Sequence, residues 1–145
     1  MKTIPKTQNA LVLRTDFSDD AAWRSTCAAI QETVDSGSVE CLSDPDFDGL
    51  TAHYLTTSLA PLLSLKRKPF EYQQGFIFIV DQIALNHPDH PILVVDLCVE
   101  HGRTFRVNPS NMFSVASNLL IANMDFAEFA DETDEDGVFR GFSGA

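Results

Sequence analysis

The chain has 145 residues, 44% of them hydrophobic and eleven of them phenylalanine; this length suits a single core, and the apolar content excludes a disordered chain. Acidic residues outnumber basic ones 21 to 10, and the net charge of -11 repels phosphate backbones, which argues against nucleic acid as a partner. No apolar run approaches the ~18 residues that a bilayer span requires, and Ala10 to Leu13, behind the two lysines of Met1 to Thr7, is too short for a signal-peptide core, so the expected address is cytoplasmic, with no membrane role.

Residues 1–9 read as an N-terminal extension, 10–142 as one α/β domain and 143–145 as a tail. Ala10 to Phe17 alternates as a strand, placing Val12, Arg14 and Asp16 on one face and Leu11, Leu13 and Phe17 on the other. Ser18, followed by Asp19 and Asp20, starts a helix, because a hydroxyl caps free N–H groups and carboxylates favour the positive end of the dipole. That helix is expected to reach about Asp35, with Trp23, Cys27, Ile30 and Val34 as its buried stripe, before Ser36 and Gly37 stop it. Val39 to Leu42 is a short strand, and Leu50 to Leu65 is a second helix with a kink at Pro61. Phe76 to Leu85, the most β-prone run, reads as one central strand. The turn-rich Asn86 to Pro91 links it to an antiparallel strand over Ile92 to Cys98, and Arg103 to Val107 follows as another. Asn108 and Pro109 start a helix over Ser110 to about Met124, which Asp125 to Ala130 either extends or follows as a new turn. Asp131 to Gly137 is an acidic loop, after which Val138 to Phe142 packs back on the core. The order β-α-β-α-β-β-β-α predicts an α/β fold, with α+β as the alternative: a mixed, mostly five-stranded sheet with about three helices, its strand order open.

Asp44 to Gly49 resembles the opening of a calcium loop, but the twelfth position, where a glutamate is needed, is Leu55; a turn and cap is the competing reading. Glu132 to Gly137 fails the same way at Ser143. His87 and His90 have a spacing that suits zinc only with a third ligand from elsewhere, so no metal is expected. Cys27, Cys41 and Cys98 are far apart in sequence and set among apolar residues, as buried reduced thiols. The chain carries no G-x-S-x-G, phosphate-binding glycine loop, G-x-G-x-x-G or C-x-x-C, and no cofactor is expected.

Charges inside apolar strands carry the rest. Arg14 and Asp16 share a strand face, Asp81 shares one with Ile77, Ile79, Ile83 and Leu85, Asp96 follows Val94 and Val95, and Arg106 lies between Phe105 and Val107. Buried carboxylates need cations, so a structural network pairs the aspartates with Arg14 and Arg106. In the competing reading, Asp81 and Asp96 lie nearly opposite in the 76–98 hairpin, and their repulsion raises one pKa to a value useful in acid/base chemistry. Asn123, an amide on an apolar helix face, either caps a neighbouring backbone or grips a polar ligand.

Three segments, Arg14 to Asp19 with Ala22 and Trp23, Asn118 to Phe126, and Asp136 to Phe142, resemble a family of small proteins known only as a domain of unknown function. Asp48 to Thr51, His87 to Leu97 and Phe105 to Val107 extend the likeness over residues 10 to 142, and Pro69 to Gly75 departs from it as extra length. The resemblance implies no activity, cofactor or partner, and marks Arg14, Asp16, Asn123, Asp125 and Arg140.

The leading expectation is a small cofactor-independent enzyme, an isomerase, cyclase or lyase of a biosynthetic pathway, acting on a polar or carbonyl-bearing small molecule. Asp81, Asp96 or Asp16 moves a proton, and Arg14, Arg106, Asn123 and Arg140 bind substrate or developing negative charge. The alternative is a non-enzymatic acidic module of immunity or regulatory type that binds a basic protein, motivated by seven acids between Asp125 and Asp136.

Overall fold

The structure is a computed structural model and describes residues 10–33, 39–51, 75–97, 100, 102–120 and 124–142. Strand β1 (Ala10–Arg14) is buried along its whole length, which accounts for the continuous apolar run ALVL ahead of Arg14 where a strand with one wet face would alternate. It lies between β2 (Val39–Leu42) and β3 (Phe76–Val80), both parallel to it, with Val12 opposite Cys41 on one side and Phe78 on the other. β4 (Ile92–Asp96) runs antiparallel to β3, β5 (Thr104–Val107) antiparallel to β4, and β6 (Val138–Phe139) parallel to β5. The sheet has six strands in the order β2-β1-β3-β4-β5-β6. Only β4 opposes the others, so the carboxyl ends of the remaining strands gather at one edge, beside the start of β4.

Helix α1 (Asp20–Thr33) is the crossover that parallel β1 and β2 require. Its buried positions are Trp23, Thr26 and Ile30; the Thr26 hydroxyl is accommodated there by donating to the Ala22 carbonyl at 2.8 Å. Helices α2 (Gln82–Asn86), α3 (Met112–Leu120) and α4 (Phe126–Ala130) add buried side chains to the same layer. The larger core cluster joins Val12, Phe78, Val94 and Phe105 of the sheet to Trp23, Ile30, Met112, Val115, Phe126 and Phe129 of the helices. The opposite face buries Leu11, Leu13, Ile77, Ile79 and Val95 against Phe47, from the 3-10 turn Pro45–Phe47. Full burial of such a side chain contributes about 1.5–3 kcal/mol. Phe105, Phe126, Phe129, Phe139 and Phe142 form a continuous aromatic group, with centroids 4.9 Å apart for Phe105 and Phe126 and 5.2 Å for Phe129 and Phe139. No helix among the described residues is long and apolar enough to cross a membrane.

The α/β class and the mixed sheet are as expected; three details differ. Phe76 to Leu85 is not one strand: β3 stops at Val80, and Asp81 caps α2 by accepting from Ala84 N at 3.1 Å. A carboxylate that satisfies a free helix N–H outweighs the β propensity of the residues behind it. Ile83 is consequently 54% exposed while Leu85 is buried, a helical division of sides. The helix expected from Ser110 begins later, at Met112, behind a 3-10 turn over Pro109–Asn111, while α4 starts afresh at Asp125, one of the two arrangements expected, with the Asp125 N–H donating to Glu128 Oε2 at 2.7 Å. Val138 to Phe142 packs back by supplying a sixth strand. The helix read over Leu50 to Leu65 lies outside the described residues except for Leu50 and Thr51.

Candidate functional site

In open sheets, ligands favour the carboxyl edge where neighbouring strands send their connections opposite ways. β1 continues toward β2 and β3 toward β4, so that point lies between Arg14-Thr15 and Val80-Asp81. It is closed here: Thr15 N donates to Val80 O at 3.1 Å, and Gly49 N, in a backbone with φ 78 that glycine adopts readily, donates to Thr15 O at 2.8 Å.

Arg14 lies beneath this closure with its side chain 5% exposed. Its Nη2 meets Asp20 Oδ1 at 2.6 Å, Nε donates to Asp16 O at 3.0 Å, and the guanidinium sits 4.3 Å from the Phe17 ring centroid and 5.5 Å from that of Trp23. Arg14 therefore ties the end of β1 to the first turn of α1. The hydrogen bond from Arg14 holds the Asp20 carboxyl below its ordinary value. Asp16 is also held below it, chiefly by the Ser18 hydroxyl and then by the Ser18 N–H, so it stays a carboxylate and is no raised-pKa acid.

Asp81 and Arg106 pair through two contacts, Nη2 to Oδ2 at 2.7 Å and Nη1 to Oδ1 at 3.0 Å, and Nη1 also donates to Pro91 O at 3.0 Å. The expected proximity of Asp81 and Asp96 is overturned by the register. Asp96 faces Phe76 at the start of β3, whereas Asp81 follows its last residue, so the two carboxylates occupy opposite ends of the strand. Asp96 accepts from Glu100 N at 2.8 Å in the β4–β5 turn. Asn123 lies outside the described residues.

Among the described residues, an open concavity at the carboxyl edge lies further along, beside β4, β5 and β6. It is a cleft of about 500 Å³ whose lining includes Glu32 of α1, His90, Asn108, Ser110 and Arg140. His90 sits at φ 47, the only non-glycine residue with positive φ among those described, a backbone state that costs about 1–3 kcal/mol and persists only where its surroundings hold it. Two contacts hold it. Nδ1 lies 2.9 Å from the Ala84 carbonyl and 3.2 Å from Thr26 Oγ1. A carbonyl only accepts, and the Thr26 proton is directed to Ala22 O, so Nδ1 carries the hydrogen, and in the neutral ring the lone pair is on Nε2. Arg140 reaches the cleft from behind β6, where Asp136 and then Asp134 anchor it at 2.8 Å each and raise its pKa. Its remaining guanidinium N–H groups have no partner among the described residues. Asn108 Nδ2 donates to Ser110 Oγ at 3.0 Å, which ties together two of the residues that line the cleft.

The family model of a domain of unknown function, DUF6924, matches residues 9–142. The chain belongs to the DUF6924 family. Comparison with curated proteins gives no match.

Of the site residues expected from sequence that are among the described residues, Arg140 alone lines the cleft of this DUF6924 chain. Arg14, Asp16, Asp81 and Arg106 are engaged with one another's elements. The acidic segment is also largely used within the DUF6924 fold: Asp131 pairs with Arg103, Asp134 and Asp136 with Arg140, and Glu128 with the Asp125 backbone, which withdraws charge from the reading of a surface for a basic partner. Sequence reasoning weighed His90 only as a zinc ligand and passed over Asn108 and Ser110 as helix start signals. The signal available for His90 was its place between two prolines and an aspartate, in the connection leading into a buried strand.

Proposed function

We propose that this domain is a small cofactor-independent enzyme in which His90 moves a proton to and from a polar, carbonyl-bearing small molecule held in the cleft at the carboxyl edge. The observation that carries this is the fixed tautomer of His90: its Nδ1–H is committed to the Ala84 carbonyl at 2.9 Å, leaving Nε2 as a base. A substrate carbonyl facing Arg140 gains negative charge as the neighbouring carbon loses its proton to Nε2, and the free guanidinium N–H groups stabilise that charge as it develops. Return of the proton to a different carbon is an isomerisation; expulsion of a neighbouring group is a lyase reaction. The role that sequence gave to the strand aspartates thus passes to His90, while Arg140 keeps the binding role expected of it. Support for working without a bound helper is the absence of cofactor signatures in the sequence.

The test is proton exchange in deuterium oxide. Purified protein is incubated with a panel of 2-oxo acids, ketoses and aldoses, and loss of each α-proton signal is followed by NMR. At least one panel member is expected to exchange with the wild-type chain, and His90→Ala is expected to slow that exchange by roughly 10²–10⁴-fold. No exchange with any member, or an equal rate in a folded His90→Ala variant, overturns the proposal.

A further inference from the structure

The charges around the cleft do not balance. Its lining includes two carboxylates, Glu32 and Asp89, and one cation, Arg140. Arg140 is itself held from outside the lining by Asp134 and Asp136, at 2.8 Å each. The Glu32 carboxylate has no hydrogen bond or ion pair among the described residues. Asp89 lies 3.9 Å from His87 Nδ1, but that nitrogen accepts from Asp89 N at 3.1 Å and so brings no proton to the carboxylate. Glu32 stands in the last turn of α1, with Ala29 beside it on the same side of the helix and also in the lining. That turn is the negative end of a 14-residue helix and contains no basic residue; in the sequence, Val34 to Ser38 supply none. A cation placed at such an end is stabilised by the dipole.

Given the cleft as the substrate site read above, we propose that its substrate is a small carbonyl compound carrying a protonated amine, with the ammonium at Glu32 and the end of α1 and the carbonyl oxygen at Arg140. The two ends of the cleft ask for different things. Glu32 and the helix end attract a positive charge, and the ammonium brings N–H donors to a carboxylate that otherwise lacks them. Arg140, already neutralised by two carboxylates, offers its remaining N–H groups to an oxygen without needing that oxygen to be charged. A monocation therefore suits the excess of negative charge, whereas a substrate that is itself an anion meets Glu32 and Asp89 as like charges. The net charge of -11 acts in the same direction at longer range, raising the local concentration of small cations. A cleft of about 500 Å³ admits a molecule of this size.

The experiment compares two pairs of probes, aminoacetone with hydroxyacetone and glucosamine with glucose, each pair differing by an ammonium in place of a hydroxyl. Each is titrated into the isotope-labelled full chain in low salt, with the amines protonated, and binding is read from amide proton–nitrogen spectra. Within each pair the amine is expected to bind about 10-fold more tightly, with saturable shifts at Ala29, Glu32 and Asp89. Glu32→Gln is expected to bring the two members of a pair to within about 3-fold of each other. Glu135→Gln removes a charge outside the lining and is expected to keep the preference. Equal affinities within each pair, binding of neither member, shifts confined to residues away from the cleft, or an equal loss of preference in both variants overturns the proposal. The proton-transfer reading is separated by the exchange measurement: an amine preference in a chain that exchanges no α-proton sustains the ammonium site and sinks proton transfer, while exchange without the preference does the reverse.

Discussion

Arg106 Nη2 lies 2.7 Å from Asp81 Oδ2, while the other Asp81 oxygen accepts from both Arg106 Nη1 at 3.0 Å and the backbone N–H of Ala84 at 3.1 Å. One carboxylate thus starts α2 and neutralises a cation whose side chain is only 17% exposed. Asp81→Ala removes the cap and strands Arg106, and is expected to lower stability by about 2–4 kcal/mol. Asp81→Asn keeps a good capping side chain and loses only the charge, so roughly half that effect is expected. Urea unfolding checks the order, with a lowered midpoint at unchanged slope in both variants; equal midpoints for the two would refute the double role.

The tautomer of His90 is measurable directly. Long-range proton–nitrogen correlation spectra are expected to show Nδ1 protonated and Nε2 bare at pH 8. Thr26→Val, which removes the second contact on Nδ1 but leaves the Ala84 carbonyl, is expected to keep that assignment. A bare Nδ1 in the wild-type chain would contradict the assigned hydrogen bond.

Phe129 is fully buried and touches Phe105, Phe139 and Phe142, whereas Phe142 is 41% exposed. Phe129→Ala is expected to cost about 3–5 kcal/mol, since a fully buried ring in contact with three others leaves a cavity when it is removed. Phe142→Ala is expected to cost less than half as much. Thermal unfolding of the two variants gives the comparison, and similar melting temperatures would mean that the group does not share its packing in this way.

Much of the fold was legible because the strands are short apolar runs cut by polar punctuation: Ala10 to Arg14, Val39 to Leu42 and Ile92 to Asp96 begin where the pattern places them. Asp81 was misread since the apolar residues after it continue without a break, and only the change from a two-residue to a 3.6-residue repeat across Ile83, Ala84 and Leu85 marks the new helix. β6 is two residues long, too short for any periodicity. The ion pairing of the strand charges was legible in kind, through the cost of a lone buried charge, and its partners were legible in part: Asp81 pairs with Arg106, whereas Arg14 found Asp20 at the start of the next helix. The contact of His90 with Thr26 depends on the crossing of α1 over the sheet, which no local window contains.

Acid sensitivity follows from the lowered carboxyls. Asp16, Asp20 and Asp136 bind protons less readily in the folded chain than at their ordinary value of 3.8, so the unfolded chain holds more protons at low pH and stability rises with pH there. Their contribution is complete above that value and is lost as pH falls through the lower folded values. Denaturation midpoints recorded from pH 6 down to pH 2 are expected to drop most steeply below the ordinary value, and Asp136→Asn is expected to flatten the drop. A wild-type midpoint indifferent to pH over this range would rule the linkage out.

The two residues of β6 govern how the molecule meets its neighbours. Arg106 N donates to Gly137 O at 3.0 Å, and Val138 and Phe139 lie alongside Arg106 and Val107; without that cover, β5 would turn a row of bare amide and carbonyl groups outward, a template on which a second molecule can add its own strand. A proline at Val138 would remove the N–H that donates to Asp136 Oδ1 at 3.2 Å and so unseat the turn that leads into β6, and it would be felt less as lost packing than as a tendency of the chain to self-associate.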